Sequence, residues 1–156
     1  MGIINKLRYT SLFSGVFLSM LAMPTAYAAS VDIINDSFEN RFKGWVDKEP
    51  SAVSGEAYSG DKSAKIMRAG GSIEQVVKVK QNTNYELSAY IRGSGKIGVQ
   101  MYDTIHSNTG GSKKFEKVVV SFNSGEATSL TIFAHFYQSE GRFDDFFLKD
   151  KDASWF

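Results

Sequence analysis

"NYELSAYIRG", Asn84 to Gly93, alternates along its whole length. Tyr85, Leu87, Ala89 and Ile91 fall on one face, and Glu86, Ser88, Tyr90 and Arg92 on the other. Successive side chains of a β-strand point to opposite sides, so a period of two gives one face to bury and one to leave in contact with solvent or a ligand. The same period returns on both sides of this stretch. In "SIEQVVKVK", Ile73, Val77 and Val79 stand against Lys78 and Lys80. In "KIGVQMYD", Ile97, Val99 and Met101 oppose Gln100 and Tyr102. "KFEKVVVSFN" reads as another strand. In "SLTIFAHFYQ", Leu130, Ile132, Ala134 and Phe136 oppose Thr131, Phe133, His135 and Tyr137, and "RFDDFFLKD" closes the set. "SGDKS", "AGGS", "QNTN", "GSG", "NTGGS" and "NSGEA" separate these runs. Each is rich in residues that accept positive φ or hydrogen-bond their own backbone. Many short strands so punctuated predict an all-β, antiparallel sandwich or barrel.

The first 28 of the 156 residues read as a secretory signal peptide. Lys6 and Arg8 precede an apolar run from Leu12 to Ala22, which is too short and too interrupted to span a bilayer. Pro24 breaks it, and Ala26-Tyr27-Ala28 supplies small residues where a signal peptidase cuts. Residues 29–156 then form one domain of ordinary size, enough for one core of two packed layers. The expected location is secreted or periplasmic, with no membrane span once the signal is removed. Net charge is +1, so no strong field points to nucleic acid or an anionic membrane. There is no cysteine, so the exported domain is held by its core or by a metal. An outer-membrane barrel is disfavoured, because the Lys-Asp-Lys-Asp run before the aromatic end cannot face lipid.

Nucleophilic catalysis finds no support in the chain. The only histidines are His106, in an expected polar loop, and His135, opposite the core face of its strand. No serine sits in a G-x-S-x-G turn. Asp144 and Asp145 are adjacent on an expected strand, so they point to opposite faces and cannot flank one glycosidic bond together. Counting in twos groups Asp144 with Phe146 and Leu148 on the buried side. An inward carboxylate needs a cation or several donors. A calcium ion takes six to eight oxygens. Glu39, beside the apolar Phe38 near the other end of the chain, is the obvious second carboxylate. "YSGDKSAKI" offers Asp61 and free carbonyls.

Four motifs in order resemble the calcium-containing jelly-roll carbohydrate-binding modules, such as families four, nine, sixteen and twenty-two. "NDSFENRFKGW" is similar to their N-x-x-F-E…W opening, and "YSGDKSAKI" to their Y/H-S-G-x-x-S loop and strand. "YELSAYIRGSG" and "FDDFFL" resemble their Y-x-L-S-x-Y/W strand and their terminal h-D-D/N-h-x-L strand. The resemblance implies a jelly-roll sandwich over the whole mature chain. It carries the calcium carboxylates onto Glu39 and Asp144, and backbone ligands to Ser37 and the loop Ser59–Lys62. Asp36-Ser37 stands where the family has Gly-Gly or Gly-x.

In such modules the ligand lies across a sheet face or at a loop-lined end. The non-core faces supply Tyr90, Arg92, Gln100, Tyr102, His135 and Tyr137 as ligand-binding candidates. Aromatic rings interleaved with Arg, Gln and His are more than a merely solvated sheet needs. Trp45 reads as a packing residue. Arg92 and Lys96 suit an acidic, uronate-type polymer, because Arg meets carboxylates bidentately, with a neutral β-glucan or xylan left open as the alternative; Lys113 and Lys114 read as solubilising loop residues. The expectation is a non-catalytic binder of polysaccharide or oligosaccharide, acting alone or with a partner enzyme. Two rivals remain. One is an adhesion or matrix protein, which predicts an exposed apolar patch. The other is a small polysaccharide lyase using His135 with Tyr90, Tyr102 or Tyr137 and an Arg.

Overall fold

The computed structural model describes residues 29–153; the expected signal peptide lies outside them. Eight strands follow in chain order: β1 (Ser30–Val31), β2 (Val46–Lys48), β3 (Ser51–Ser54), β4 (Ser63–Ile66), β5 (Ser72–Lys78), β6 (Asn84–Met101), β7 (Thr104–Asn123) and β8 (Ser129–Asp150). All pairings are antiparallel. Among the described residues no helix is long and apolar enough to cross a membrane, which says nothing of a β-barrel.

Three long strands run through both layers of the sandwich. β6 lies between β7 and β8 for most of its length. Over Gly95–Met101 the order is β7-β6-β8-β5-β2. Over Asn84–Gly93 it is β7-β6-β8-β4-β3, with β1 paired to the end of β8. Glycines make the corner between the layers. Gly93 has φ +83. A Cβ on Gly95 would enter the ring of Phe143, one on Gly141 would meet the carbonyl oxygen of Ser94, and one on Gly110 would lie 2.6 Å from a Val118 methyl. Only hydrogen fits where the bent strands approach this closely.

This corner corrects the strand count expected from turn signals. "GSG" and "NTGGS" lie inside β6 and β7, where the chain bends without reversing. "SLTIFAHFYQ" and "RFDDFFLKD" are two halves of β8. The reversal after β6 falls instead at Tyr102-Asp103, with Tyr102 at φ +51. The other four turn signals lie at the connections they were expected to make.

The predicted alternation of β6 holds. Tyr85, Leu87, Ala89, Ile91, Ile97 and Val99 are all buried, against Ile66, Ile73, Ile132, Phe143 and Leu148. Each large side chain so buried contributes roughly 1.5–3 kcal/mol. Trp45 is a core residue, with its ring centroid 5.1 Å from those of Phe38 and Phe146. Its Nε1 donates to the Asn35 carbonyl. Asn35 also folds the segment that carries Phe38 inward. Its side-chain amide donates to the carbonyls of Arg41 and Lys43, and its Oδ1 accepts from the Asn40 N–H. Glu39 is thereby held beside the buried Phe38.

A bulge corrects the expected side of Asp144. Tyr90 pairs with Asp144, but Ser88 pairs with Phe147, so one extra residue lies in β8 between them. Asp145 takes φ +48 there. Residues paired directly across strands share a face. Asp144 therefore lies on the face of Tyr90, not on that of Phe146 and Leu148. It is nonetheless fully buried, because a loop covers it.

Candidate functional site: an open sheet face

The outer face of the layer containing β5 and β2 gathers half of the expected ligand residues. Register fixes its rows. Lys48, Ser72, His135, Lys96 and Thr109 follow one another across five strands. Val46, Glu74, Phe133, Gly98 and Ser107 form the next row, and Val76, Thr131, Gln100 and Ile105 the third. At about 4.8 Å per strand the face is roughly 19 Å wide. Gly98 is required here: a Cβ would stand 2.5 Å from the end of the Phe133 ring. Phe133 lies flat enough over that gap to be buried on a face that is otherwise open. The His135 ring stacks on it, with centroids 4.2 Å apart and planes 23° apart.

Glu74 joins the polar groups. Its Oε1 lies 3.5 Å from His135 Nε2 and 3.6 Å from Lys48 Nζ, and it accepts a hydrogen bond from Ser72 Oγ at 3.3 Å. These residues and Gly70-Gly71 line a shallow depression of about 340 Å³. Burial holds the His135 imidazole below its usual range, against the pull of Glu74. The ring is therefore neutral at pH 7, with one nitrogen donating and one accepting. Tyr137 lies two residues beyond His135 along β8, with Lys96 Nζ 5.8 Å from its ring centroid. Tyr102 is not on the sheet: it stands exposed at the hairpin tip, and with Gln100 and Val76 it borders a second depression. Lys48, Ser72, Glu74 and Phe133 were not among the expected site residues. Alternation does put Glu74 opposite Ile73, but nothing in the sequence pairs the three-residue β2 with β5.

Tyr90 and Arg92 lie past the glycine corner, on the outer face of the other layer. Tyr90 is covered: the ring of Tyr58 stacks on it, centroids 3.5 Å apart and planes 9° apart. Arg92 Nη1 is 2.8 Å from Glu56 Oε2, the oxygen that Arg142 Nε approaches to 3.1 Å. The six expected ligand residues thus do not share one surface. His135 and Arg92 in particular are not brought together. His106 is not in a loop either; it is a half-buried member of β7, its ring 6.1 Å from that of Phe122.

Glu39 and Asp144 converge on the loop between β3 and β4. Asp144 Oδ2 accepts the Tyr58 and Ser59 N–H groups at 2.7 and 3.1 Å, and its Oδ1 accepts the Asp145 N–H. Glu39 Oε1 accepts the Asp61 and Lys62 N–H groups at 3.0 and 2.9 Å. Gly60 makes this approach possible, since a Cβ there would strike the Glu39 carboxylate. Asp61 contributes its backbone, its side chain being exposed, and Ser37 lies half-buried two residues before Glu39. Asp145 accepts a hydrogen bond from Ser59 Oγ at 2.7 Å. Burial pushes the Asp144 carboxyl up to about 6, although the amide donors pull it down. The two carboxylates supply the charge that a calcium ion needs. The groups facing them are N–H donors, however, whereas calcium binds oxygen. Among the described residues no three His, Cys, Asp or Glu side chains are gathered as a metal group. In this geometry N–H groups of the loop, and not its carbonyls, are turned toward Asp144 and Glu39.

Comparison with known proteins agrees with this architecture. A search of the curated proteins finds no match. Among solved structures, the CBM22-1 xylan-binding domain of Paenibacillus barcinonensis Xyn10C is 18% identical, with a TM-score of 0.61 over 76% of this chain and 94% of that one. TmCBM61, solved with β-1,4-galactotriose, is 17% identical, with a TM-score of 0.59 over 79% of this chain and all of the other. A CBM4 module is 11% identical, with a TM-score of 0.56 over 77% of this chain. These likenesses establish the shared fold. The carbohydrate binding domain family matches residues 32–137, from just before the Asn35 loop to Tyr137 in β8, and this chain belongs to it.

Proposed function

We propose that this protein binds a polysaccharide, without catalysis, across the face bearing Lys48, Glu74, Gln100, Phe133, His135 and Tyr137. The observation that carries the reading is the row Lys48-Ser72-His135-Lys96, with the His135 ring stacked on a Phe133 ring in the next row that only Gly98 accommodates. Stacked rings offer a rigid apolar surface to the C–H face of a sugar, and Glu74, Gln100 and neutral His135 pair with hydroxyls. Lys48 and Lys96 against Glu74 favour an acidic, uronate-type polymer over a neutral one. Export by residues 1–28 gives such a binder access to polymer outside the cell, alone or beside a partner enzyme. Affinity electrophoresis in gels containing alginate, pectin, xylan or β-glucan tests the reading. Retardation by at least one gel is expected, strongest with a uronate; no retardation by any overturns it.

The structural calcium is a separate part of the proposal. Its support is that carboxylates from opposite ends of the chain meet on one loop. It requires peptide units of that loop to turn their carbonyls toward Glu39 and Asp144. Chelation with EDTA then lowers the melting temperature, and Glu39→Ala and Asp144→Ala lose that response. An unchanged melt removes the metal. A second reading, adhesion to a protein through the same face, is favoured by its third row: Val76 and Ile105 are exposed there, with Tyr102 beside them. Retention of a protein ligand with no retardation by glycans supports that alternative.

A further inference from the structure

We infer a second sugar-binding site on the opposite layer, with Tyr58 as its stacking platform; the inference rests on the reading that the protein binds glycans. Tyr58 is 47% exposed although one face of its ring lies flat on Tyr90. Phe115 buttresses it edge-on at 6.2 Å. Its backbone is fixed from below, with its own N–H and that of Ser59 held by Asp144, and Ser59 Oγ held by Asp145. A ring so constrained loses little freedom when a ligand covers its outer face.

The polar groups beside the platform suit sugar hydroxyls. Glu56, two residues before Tyr58, is half-exposed. Its Oε2 lies within reach of both Arg92 and Arg142, and its Oε1 takes part in no hydrogen bond among the described residues. The side chain of Arg92, on the same strand face as Tyr90, is 40% exposed beside it. A carboxylate held by two arginines accepts hydrogen bonds from adjacent hydroxyls, and Arg92 donates to a ring or hydroxyl oxygen. The occupant is one sugar unit stacked on Tyr58, in a site separated from the His135 face by the glycine corner. Two sites on two layers let one molecule join two glycan chains.

Calorimetric titration with xylohexaose, cellohexaose and hexaguluronate tests this. With a hexaose that binds, the native protein takes up two equivalents. Tyr58→Leu, which keeps an apolar side chain over Tyr90, takes up one, and so does His135→Ala. Glu56→Gln retains the fold-supporting ring stack and weakens the same equivalent as Tyr58→Leu by at least fivefold. One equivalent in the native protein, lost in His135→Ala and unchanged in Tyr58→Leu and Glu56→Gln, overturns the second site and leaves the first. One equivalent lost only in Tyr58→Leu and Glu56→Gln keeps the second site and overturns the first. No heat of binding with any of the three overturns both.

Discussion

Acidification should stabilise the calcium-free protein through Asp144. This carboxyl is fully buried, and burial holds it up to about 6, against an ordinary value of 3.8. Between those values the folded chain binds a proton that the unfolded chain does not. Stability therefore rises as pH falls from 7, and the gain is complete below the ordinary value. A shift of about two units corresponds to about 3 kcal/mol, of which about 2 kcal/mol is present at pH 4.5. His135 acts in the opposite sense: its lowered value gives stability that is present above 6.5 and is lost as pH falls through the folded value. The difference between native protein and Asp144→Asn isolates the carboxylate. Urea denaturation in EDTA at pH 7.5 and pH 4.5 measures it. The native protein should gain about 2 kcal/mol relative to the variant. A relative gain below about 0.5 kcal/mol refutes the burial argument. In calcium the gain should vanish if the ion binds there, because a cation lowers the carboxyl again.

Three further outcomes follow from the same geometry. Asn35→Ala removes the three side-chain hydrogen bonds that shape the loop carrying Phe38 and Glu39; a loss of about 1–3 kcal/mol in urea denaturation is expected. Gly95→Ala forces a methyl group into the ring of Phe143 at the corner of β6; overpacking should cost about 1–3 kcal/mol, read from the same denaturation curve. Because burial keeps His135 neutral, glycan affinity measured by calorimetry should stay level between pH 8 and pH 6.5. An inflection within that range contradicts the burial of the imidazole.

Alternation made the sheets legible wherever one face is buried. Tyr85 to Ile91 and Ile97 to Met101 lie inside as their spacing requires. The packing of Trp45 with Phe38 was also within reach, because a large apolar ring is usually enclosed. Four features were not legible, each for a physical reason. Alternation counts residues, and the bulge at Asp145 adds one, so the face of Asp144 was misread. Aspartate does tolerate positive φ, but nothing local requires it there. "GSG" has the composition of a turn, and only contacts with Phe143 and Glu140 make it a corner instead. A strand pattern also cannot tell which of two outer faces a residue occupies once a long strand passes between layers. This divided Tyr90 and Arg92 from His135 and Tyr137. Lys48 entered the site through β2, whose partner is fixed only by the fold.

Amide chemical-shift mapping tests directly whether the His135 face meets the glycan. Hexaguluronate and xylohexaose are titrated into the isotope-labelled protein. The largest shifts, with either sugar, should fall on Lys48, Ser72, Glu74, Lys96, Gln100 and His135, with a smaller set around Tyr58. Binding that leaves the His135 row unshifted, or no shift with either sugar, would contradict that placement.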